Sequence, residues 1–439
     1  TLYHWRSGER SARAAAREGT AGIPAGWWVS EHGALTFSES GRRLYFGTAP
    51  RPEPEPDEDE LPPANERVVL DVWNWRDPYL QPMQLVQVER ERKRTYTAVL
   101  HTGNRKVVQL ATAEVPEVEP VTKRDPKVLV GTSNLPYRQL ISWEMPRYSD
   151  VYLVDVEKGE RVLVLEKSPG PVSLSPDERH LVWYDGGERA YLAMDVRNRR
   201  VRNLTEQVPY PVHDELNDQP MPPPPYGAAG WTDAGTFLVY DRYDIWELDP
   251  TGRRAPRNVT EGVGRAEGLR FRYAQLDPDA EVVATAEPIL LHAFHRWTKA
   301  AGFYRDRVKG DAPPERLILE DRHFGRPRKA ADADVVMLTR ERFDEFPDLW
   351  VTDLDFTDMR RLSDANPQQA DYLWGTAELV EWRSADGTLL QGILYKPENF
   401  DPSKKYPMMV YFYERMSDGL HGYLGDAEAL RRTTLISTL

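Results

Sequence analysis

Cysteine is absent from all 439 residues, which excludes a disulfide framework, a thiolate metal site and a cysteine nucleophile. The absence says nothing of compartment, because such a chain suits oxidising and reducing surroundings alike. No run of 18 or more apolar residues occurs, so no membrane-spanning helix is expected. A surplus of positive charge is missing too: Lys+Arg 57 against Asp+Glu 70 leaves −13. That balance argues against a nucleic-acid partner held by phosphate neutralisation. The opening Thr1-Leu2-Tyr3-His4-Trp5 shows no initiator Met and no charged-then-apolar leader. Long helical periodicity is scarce, and the Ala/Arg-rich stretch from Ser11 to Glu18 is the main exception, read as one short exposed helix.

What the chain does have is strands. Leu44-Tyr45-Phe46, Val107-Val108-Gln109-Leu110, Val151-Tyr152-Leu153-Val154 and Leu181-Val182-Trp183-Tyr184 are β-branched or aromatic runs bounded by turn residues. They belong to a repeat with three elements. The first is a turn before an apolar strand: Ser175-Pro176-Asp177 before His180–Tyr184, Thr232-Asp233-Ala234-Gly235 before Phe237–Tyr240, and Asp277-Pro278-Asp279 before Val282-Val283-Ala284. The second is an aromatic strand ending in Asp155, Asp195, Asp249 or Asp353. The third is a small hydroxyl residue after the outer strand, at Thr205, Thr260 and Ser363. The Asp spacings are 40, 54 and 104, so the last gap holds a degenerate copy near Phe303-Tyr304. A period of roughly 40 to 50 with several strands per copy marks a β-propeller. Extension upstream to Phe37–Gly41 and Lys127–Val130 predicts an all-β fold of about seven four-stranded blades over residues 1–375. A β-sandwich array is the competing architecture, but it has no need of an Asp-ended aromatic strand.

Two stretches interrupt the pattern. Residues 51–65, acidic and proline-rich, read as a mobile, solvated insertion. Pro209 to Tyr226, with four consecutive prolines from Pro222, reads as a stiff interblade connection. After Trp374 the character changes. Ala385-Asp386-Gly387-Thr388 between two alternating runs predicts a hairpin. The nearly continuous apolar Met408-Met409-Val410-Tyr411-Phe412-Tyr413 fits a strand buried on both faces. Residues 376–439 therefore read as the first strands of a second, α/β domain, with a longer polypeptide expected.

The order Trp382-Arg383-Ser384-Ala385-Asp386-Gly387, Gly392-Ile393-Leu394-Tyr395-Lys396-Pro397 and Lys405-Tyr406-Pro407 resembles the prolyl oligopeptidase family of serine peptidases, which includes the dipeptidyl peptidase and acylaminoacyl peptidase branches. The resemblance covers residues 343 to 421, beginning at Phe343-Asp344-Glu345-Phe346-Pro347; Trp73–Pro78 and Asp241–Trp246 look like segments of its bacterial members. It implies a propeller that restricts access to an α/β-hydrolase domain, peptide substrates, a Ser-Asp-His triad and no cofactor. A G-x-S-x-G nucleophile elbow is not found; Gly131-Thr132-Ser133-Asn134-Leu135 lacks the second glycine. The triad is thus expected outside these residues, with the remainder of the hydrolase domain as the chain's own partner. Tyr413 matches the family's tyrosine that donates its hydroxyl to the tetrahedral oxyanion, although Glu414-Arg415 follows where a small residue is usual.

Other candidates carry less. Glu341, Glu345 and Glu378 are isolated, and no adjacent Glu-Glu pair occurs, so strict dipeptide release is not favoured. His292 and His295 lack a carboxylate partner, and no metal is expected. The sequons at Asn203 and Asn258 recur at one place in the repeat and read as blade-closing turns. Gly103-Asn104 and Gly186-Gly187 read as hairpin turns. A non-enzymatic protein-docking propeller, a family member with a degenerate hydrolase domain and a homo-oligomer stay open; compartment is not indicated.

Overall fold

A computed structural model describes residues 1–52, 62–63, 66–68, 70–411 and 415–423. Most of the 51–65 insertion, and Tyr413, lie outside the described residues. The architecture is all-β, 37% strand against 8% helix. It is built of antiparallel meanders in chain order, the blades of a propeller.

The chain divides into two compact units. The first is Thr1–Glu206 with Leu216–Pro224, and the second is Gln207–Glu215 with the chain from Pro225 onward. The first unit holds a short hairpin, Leu2–His4 against Arg13–Ala16, and three blades. Blade 1 runs Trp27–Val29 with Thr36–Phe37, then Arg43–Pro50, Tyr96–His101 and Lys106–Gln109. Blade 2 runs Glu117–Val118, Val128–Ser133, Ser149–Asp155 and Arg161–Ser168; blade 3 runs Val172–Leu174, His180–Asp185, Ala190–Asp195 and Val201–Asn203.

The second unit repeats the plan. Blade 4 runs Ala228–Trp231, Phe237–Tyr240, Ile245–Leu248 and Arg257–Asn258, and blade 5 runs Leu269–Tyr273, Ile289–His295, Ala301–Asp306 and Glu315–Glu320. Blade 6 sets His323–Phe324 and Arg328–Lys329 against Val335–Arg342, followed by Glu345–Asp353 and Arg360–Arg361. Beyond it lies the two-stranded hairpin Thr376–Arg383 with Leu389–Lys396.

The period-2 side-chain alternation of a strand explains why the runs are apolar on both faces. In blade 5, Leu291 packs with Leu238 and Ile245 of blade 4, while its neighbour Leu290 packs with Phe324, Val336 and Leu338 of blade 6. In blade 1, Tyr45 faces Leu129 and Val154 of blade 2, whereas Leu44 and Phe46 face Leu2 and Ala16 of the N-terminal hairpin. That hairpin takes the place of a further blade against the first. The described residues hold six such meanders and this two-stranded hairpin.

Three local expectations differ from the structure. The Ser11–Glu18 stretch forms no helix; Arg13–Ala16 is a strand, because pairing with Leu2–His4 and burial of Ala16 outweigh alanine's helix preference. Val282-Val283-Ala284 forms no strand, only a single parallel bridge from Val283 to Thr232; the second strand of blade 5 starts at Ile289 instead. Residues 405–411 form no strand either, and Met408, Met409 and Val410 are exposed. A buried strand needs neighbours on both edges, and the described chain supplies none there.

Candidate functional site

Each recurring turn residue of the repeat has a local task. At the corner between first and second strands, Ser38, Ser175 and Thr232 accept backbone N–H groups on their hydroxyls, from Arg43 at 3.2 Å, His180 at 3.0 Å and Thr236 at 3.1 Å. The strand-ending aspartates cap the turn between third and fourth strands. Asp155 Oδ1 accepts from the Glu157 and Lys158 amides, Asp195 Oδ1 from Arg197 and Asn198, and Asp249 Oδ1 from Thr251, all within 3.1 Å. Asn198 amide donation, with that of Arg197, holds the Asp195 carboxyl below the ordinary carboxylate range. The closing hydroxyl residue reaches back to the third strand. Thr205 Oγ1 accepts from Tyr191 N at 3.1 Å, Thr260 Oγ1 from Ile245 N at 3.2 Å and Ser363 Oγ from Leu349 N at 2.9 Å. The repeat is turn chemistry, and the sequons at Asn203 and Asn258 are part of it.

The degenerate copy is Ala301–Asp306, and its aspartate is unlike the others. Asp306 is buried; its Oδ1 accepts only the neighbouring Arg307 amide at 2.7 Å and its Oδ2 has no partner among the described residues. Burial pushes its pKa up to about 7.

In the second unit, the loops joining second and third strands form the face on which the last described residues rest. In blade 4 this loop is Asp241-Arg242-Tyr243-Asp244, with both aspartates fully buried. Asp241 Oδ1 accepts the Tyr243 and Asp244 amides, and its Oδ2 meets Trp246 Nε1 and Arg265 Nη2, each at 3.2 Å. Asp244 Oδ1 takes the Thr260 hydroxyl at 2.7 Å and the Gly264 amide at 2.9 Å, so a Cβ at Gly264 would stand 2.7 Å from that oxygen. Arg265 lies over the Tyr210 ring at 3.7 Å, and Arg296 Nη1 donates to the Tyr243 hydroxyl at 2.9 Å.

The corresponding loop of blade 5 carries Trp297 and Lys299. Gln391 of the C-terminal hairpin donates to the Trp297 carbonyl at 3.1 Å. Lys299, 4% exposed, binds Asp418 at 3.0 Å. In blade 6 the loop is Phe343-Asp344. Phe343 packs on Tyr395 of the hairpin at 5.1 Å, and its carbonyl accepts Trp374 Nε1 at 2.8 Å. The Tyr423 ring stacks on Trp374 and meets Phe346 edge-on, while its amide donates to Glu341 at 3.3 Å. Burial raises the Tyr423 and Tyr395 hydroxyl pKa values. His421 beside these groups has its pKa lowered, chiefly by burial, with Asp321 3.8 Å away.

The three glutamates weighed earlier each face a basic side chain. Glu341 meets His323 at 3.0 Å, Glu345 meets Arg322 at 2.8 Å and Glu378 meets Lys396 at 2.6 Å. None offers a free carboxylate to a substrate amine in this arrangement. His292 is half-buried, edge-on against Phe303, and desolvation lowers its pKa to about 4. His295, three residues along the strand and so on the opposite face, caps a turn through Thr298 at 2.9 Å. Among the described residues no group of three His, Cys, Asp or Glu is placed to hold a metal ion. Gly131-Thr132-Ser133 lies within the second strand of blade 2, where a Cβ at Gly131 would press on Val115 and Val154 at 2.9 and 3.0 Å; it is not a nucleophile elbow. Lys299, Asp418, Trp374 and Tyr423 carried no signal in the sequence, since each finds its partner through long-range packing.

No protein-family profile matches the chain, and no curated protein matches it in sequence. Among solved structures it is similar to a prolyl endopeptidase at 13% identity and a TM-score of 0.43, covering 91% of this chain and 51% of that one. It is also similar to the apo AtxE2 isopeptidase, at 12% identity and a TM-score of 0.30, covering 85% of this chain and 57% of that one. A variant of the same isopeptidase with a bound astexin gives 14% identity and a TM-score of 0.31, covering 89% and 60%. The chain thus spans between half and three fifths of the length of these structures. No helix among the described residues is long and apolar enough to cross a membrane.

Proposed function

We propose that this chain is the propeller and opening hydrolase segment of a serine peptidase that cleaves short peptides by acyl transfer. Residues 1–375 are the propeller, which limits access to the reaction chamber, and 376–439 begin the catalytic domain. The observation that carries the reading is the pairing of an anchored hairpin with an unburied strand sequence. Thr376–Lys396 is held on the blade 5 and blade 6 loops through Gln391 and Tyr395. It leads into Met408, Met409 and Val410, which are apolar yet 72%, 59% and 68% exposed. A free-standing docking propeller has no use for such a segment, whereas the central strand of a hydrolase sheet has that composition.

In this reading the catalytic serine, aspartate and histidine come from further chain. Tyr413, at the end of the apolar run, donates its hydroxyl to the oxyanion of the tetrahedral intermediate. A donor pre-aimed at developing charge stabilises the transition state more than the ground state. The face of Lys299, Phe343 and Trp374 then serves as the mount that fixes the catalytic domain to the blades. The test is the translated continuation of the coding sequence past Leu439. A G-x-S-x-G elbow followed by an aspartate and a histidine supports the proposal; a stop codon, or an unrelated domain, overturns it.

A further inference from the structure

A cleft of about 420 Å³ in the first unit lies where the second-to-third-strand loops of blades 1 and 2 meet. That volume falls within the range of small-ligand sites. Arg90, Lys93, Arg94 and Arg138 line it with Glu117, and Glu91, paired with Arg94 and Arg90, lies close enough for Arg138 to act on its charge. In a chain of net charge −13 this is a local reversal of sign.

The four cations are not equivalent. Arg94 is occupied, with two bonds of 2.7 Å to Glu91 and one of 3.0 Å to Glu117. Arg138 is half-buried and pre-set: Asn134 Oδ1 takes its Nε at 3.0 Å and its guanidinium sits over the Tyr79 ring at 5.3 Å. Both terminal amino groups of Arg138 are left without an acceptor among the described residues, and so is the Lys93 ammonium. An arginine held by its Nε and one ring face presents a fork that matches the two oxygens of a carboxylate. Because neighbours already fix the side chain, little rotamer freedom is lost when the anion arrives.

We propose that this cleft binds carboxylates of peptides, with Arg138 as the bidentate fork and Lys93 as the second charge. The volume greatly exceeds that of a lone phosphate, and Glu117 opposes a more highly charged anion. Asn134 and Thr95 on the wall offer polar partners to a peptide backbone. The site stands on its own geometry and does not require the chain to be part of a peptidase.

The carboxylate can come from acidic side chains or from a free C-terminus, and titration calorimetry on the full 439-residue chain separates them. The probes are acetyl-Glu-Glu-Gly-amide, acetyl-Gln-Gln-Gly-amide, acetyl-Gly-Gly-Gly free acid and inorganic phosphate. The inference expects one of the two carboxylate peptides to bind at least roughly tenfold tighter than the glutamine peptide, which is about 1.4 kcal/mol, and more weakly at high salt. Lys93→Gln changes an exposed side chain and leaves the fold alone; Arg138→Gln keeps a donor for Asn134. Each should weaken that binding several-fold with an unchanged melting temperature. Equal affinity for the glutamate, free-acid and glutamine peptides overturns the inference. So does phosphate binding as tight as the peptide, or full affinity in both variants.

Discussion

Replacing Asp306 by asparagine isolates the buried carboxyl of blade 5. In the folded chain its pKa is about 7, raised first by burial; the Arg307 amide and the Arg257 charge only partly offset this. Arg257 is committed elsewhere, to Glu247 at 2.9 Å and to the Val308 and Gly310 carbonyls. The unfolded carboxyl titrates near its ordinary value of 3.8. Between those two values the folded state holds a proton that the unfolded state has released, so stability falls as pH rises and then levels off above the folded pKa. Roughly three units at about 1.4 kcal/mol each set a ceiling near ~4 kcal/mol. Partial solvent screening reduces the expected effect to about 2 kcal/mol. The amide of the variant has no charge to desolvate, so Asp306→Asn should be more stable than the wild type by that amount at pH 8. Urea denaturation at half-unit steps from pH 6 to 8.5, above the sequence pI of about 5.3, measures the difference. The advantage of the variant should grow from pH 6 through pH 7 and level off by about pH 8. A pH-independent difference, or a wild type that gains on the variant as pH rises, refutes the assignment of a buried, proton-holding carboxyl.

Three further outcomes follow from the packing. Thr260→Val keeps the volume of a fully buried side chain but removes one of the donors to the Asp244 carboxyl and leaves the Ile245 amide without its acceptor; it should cost about 1–3 kcal/mol in the same denaturation experiment. Phe303→Ala removes a fully buried ring packed on Phe324 and Phe356. It should cost about 3–5 kcal/mol, read as a lowered denaturation midpoint. In a polypeptide that carries the triad, Tyr413→Phe should lower kcat by about 10²–10³ with KM little changed; an unchanged kcat in a normally folded variant removes Tyr413 from the mechanism.

Much of the blade pattern was legible because turn chemistry is local. Asp155, Asp195 and Asp249 accept amides two and three residues on, so their spacing in the sequence is the spacing of the blades. The copy at Asp306 was located only by the size of the gap, since its carboxyl points into the core and no longer caps a turn. Local preference misled at Ser11–Glu18, where cross-strand pairing decided, and at Val282-Val283-Ala284, where an apolar triplet found one bridge and no ladder. The mount for the C-terminal hairpin was not legible at all. Lys299 and Asp418 lie 119 residues apart, and nothing in either segment signals the other. The Arg138 fork is similar: the sequence shows an ordinary arginine, and its free edge exists only because Asn134 and Tyr79 occupy the rest of it.

The central claim is that these blades and their C-terminal hairpin belong to a serine peptidase whose nucleophile lies in further chain. Fluorophosphonate labelling tests it most directly, applied side by side to the 439-residue chain and to the polypeptide extended through its natural continuation. The account predicts a covalent adduct on one serine of the extended protein, and none on the 439-residue chain. An adduct within residues 1–439, or an extended protein that folds and remains unlabelled, contradicts it.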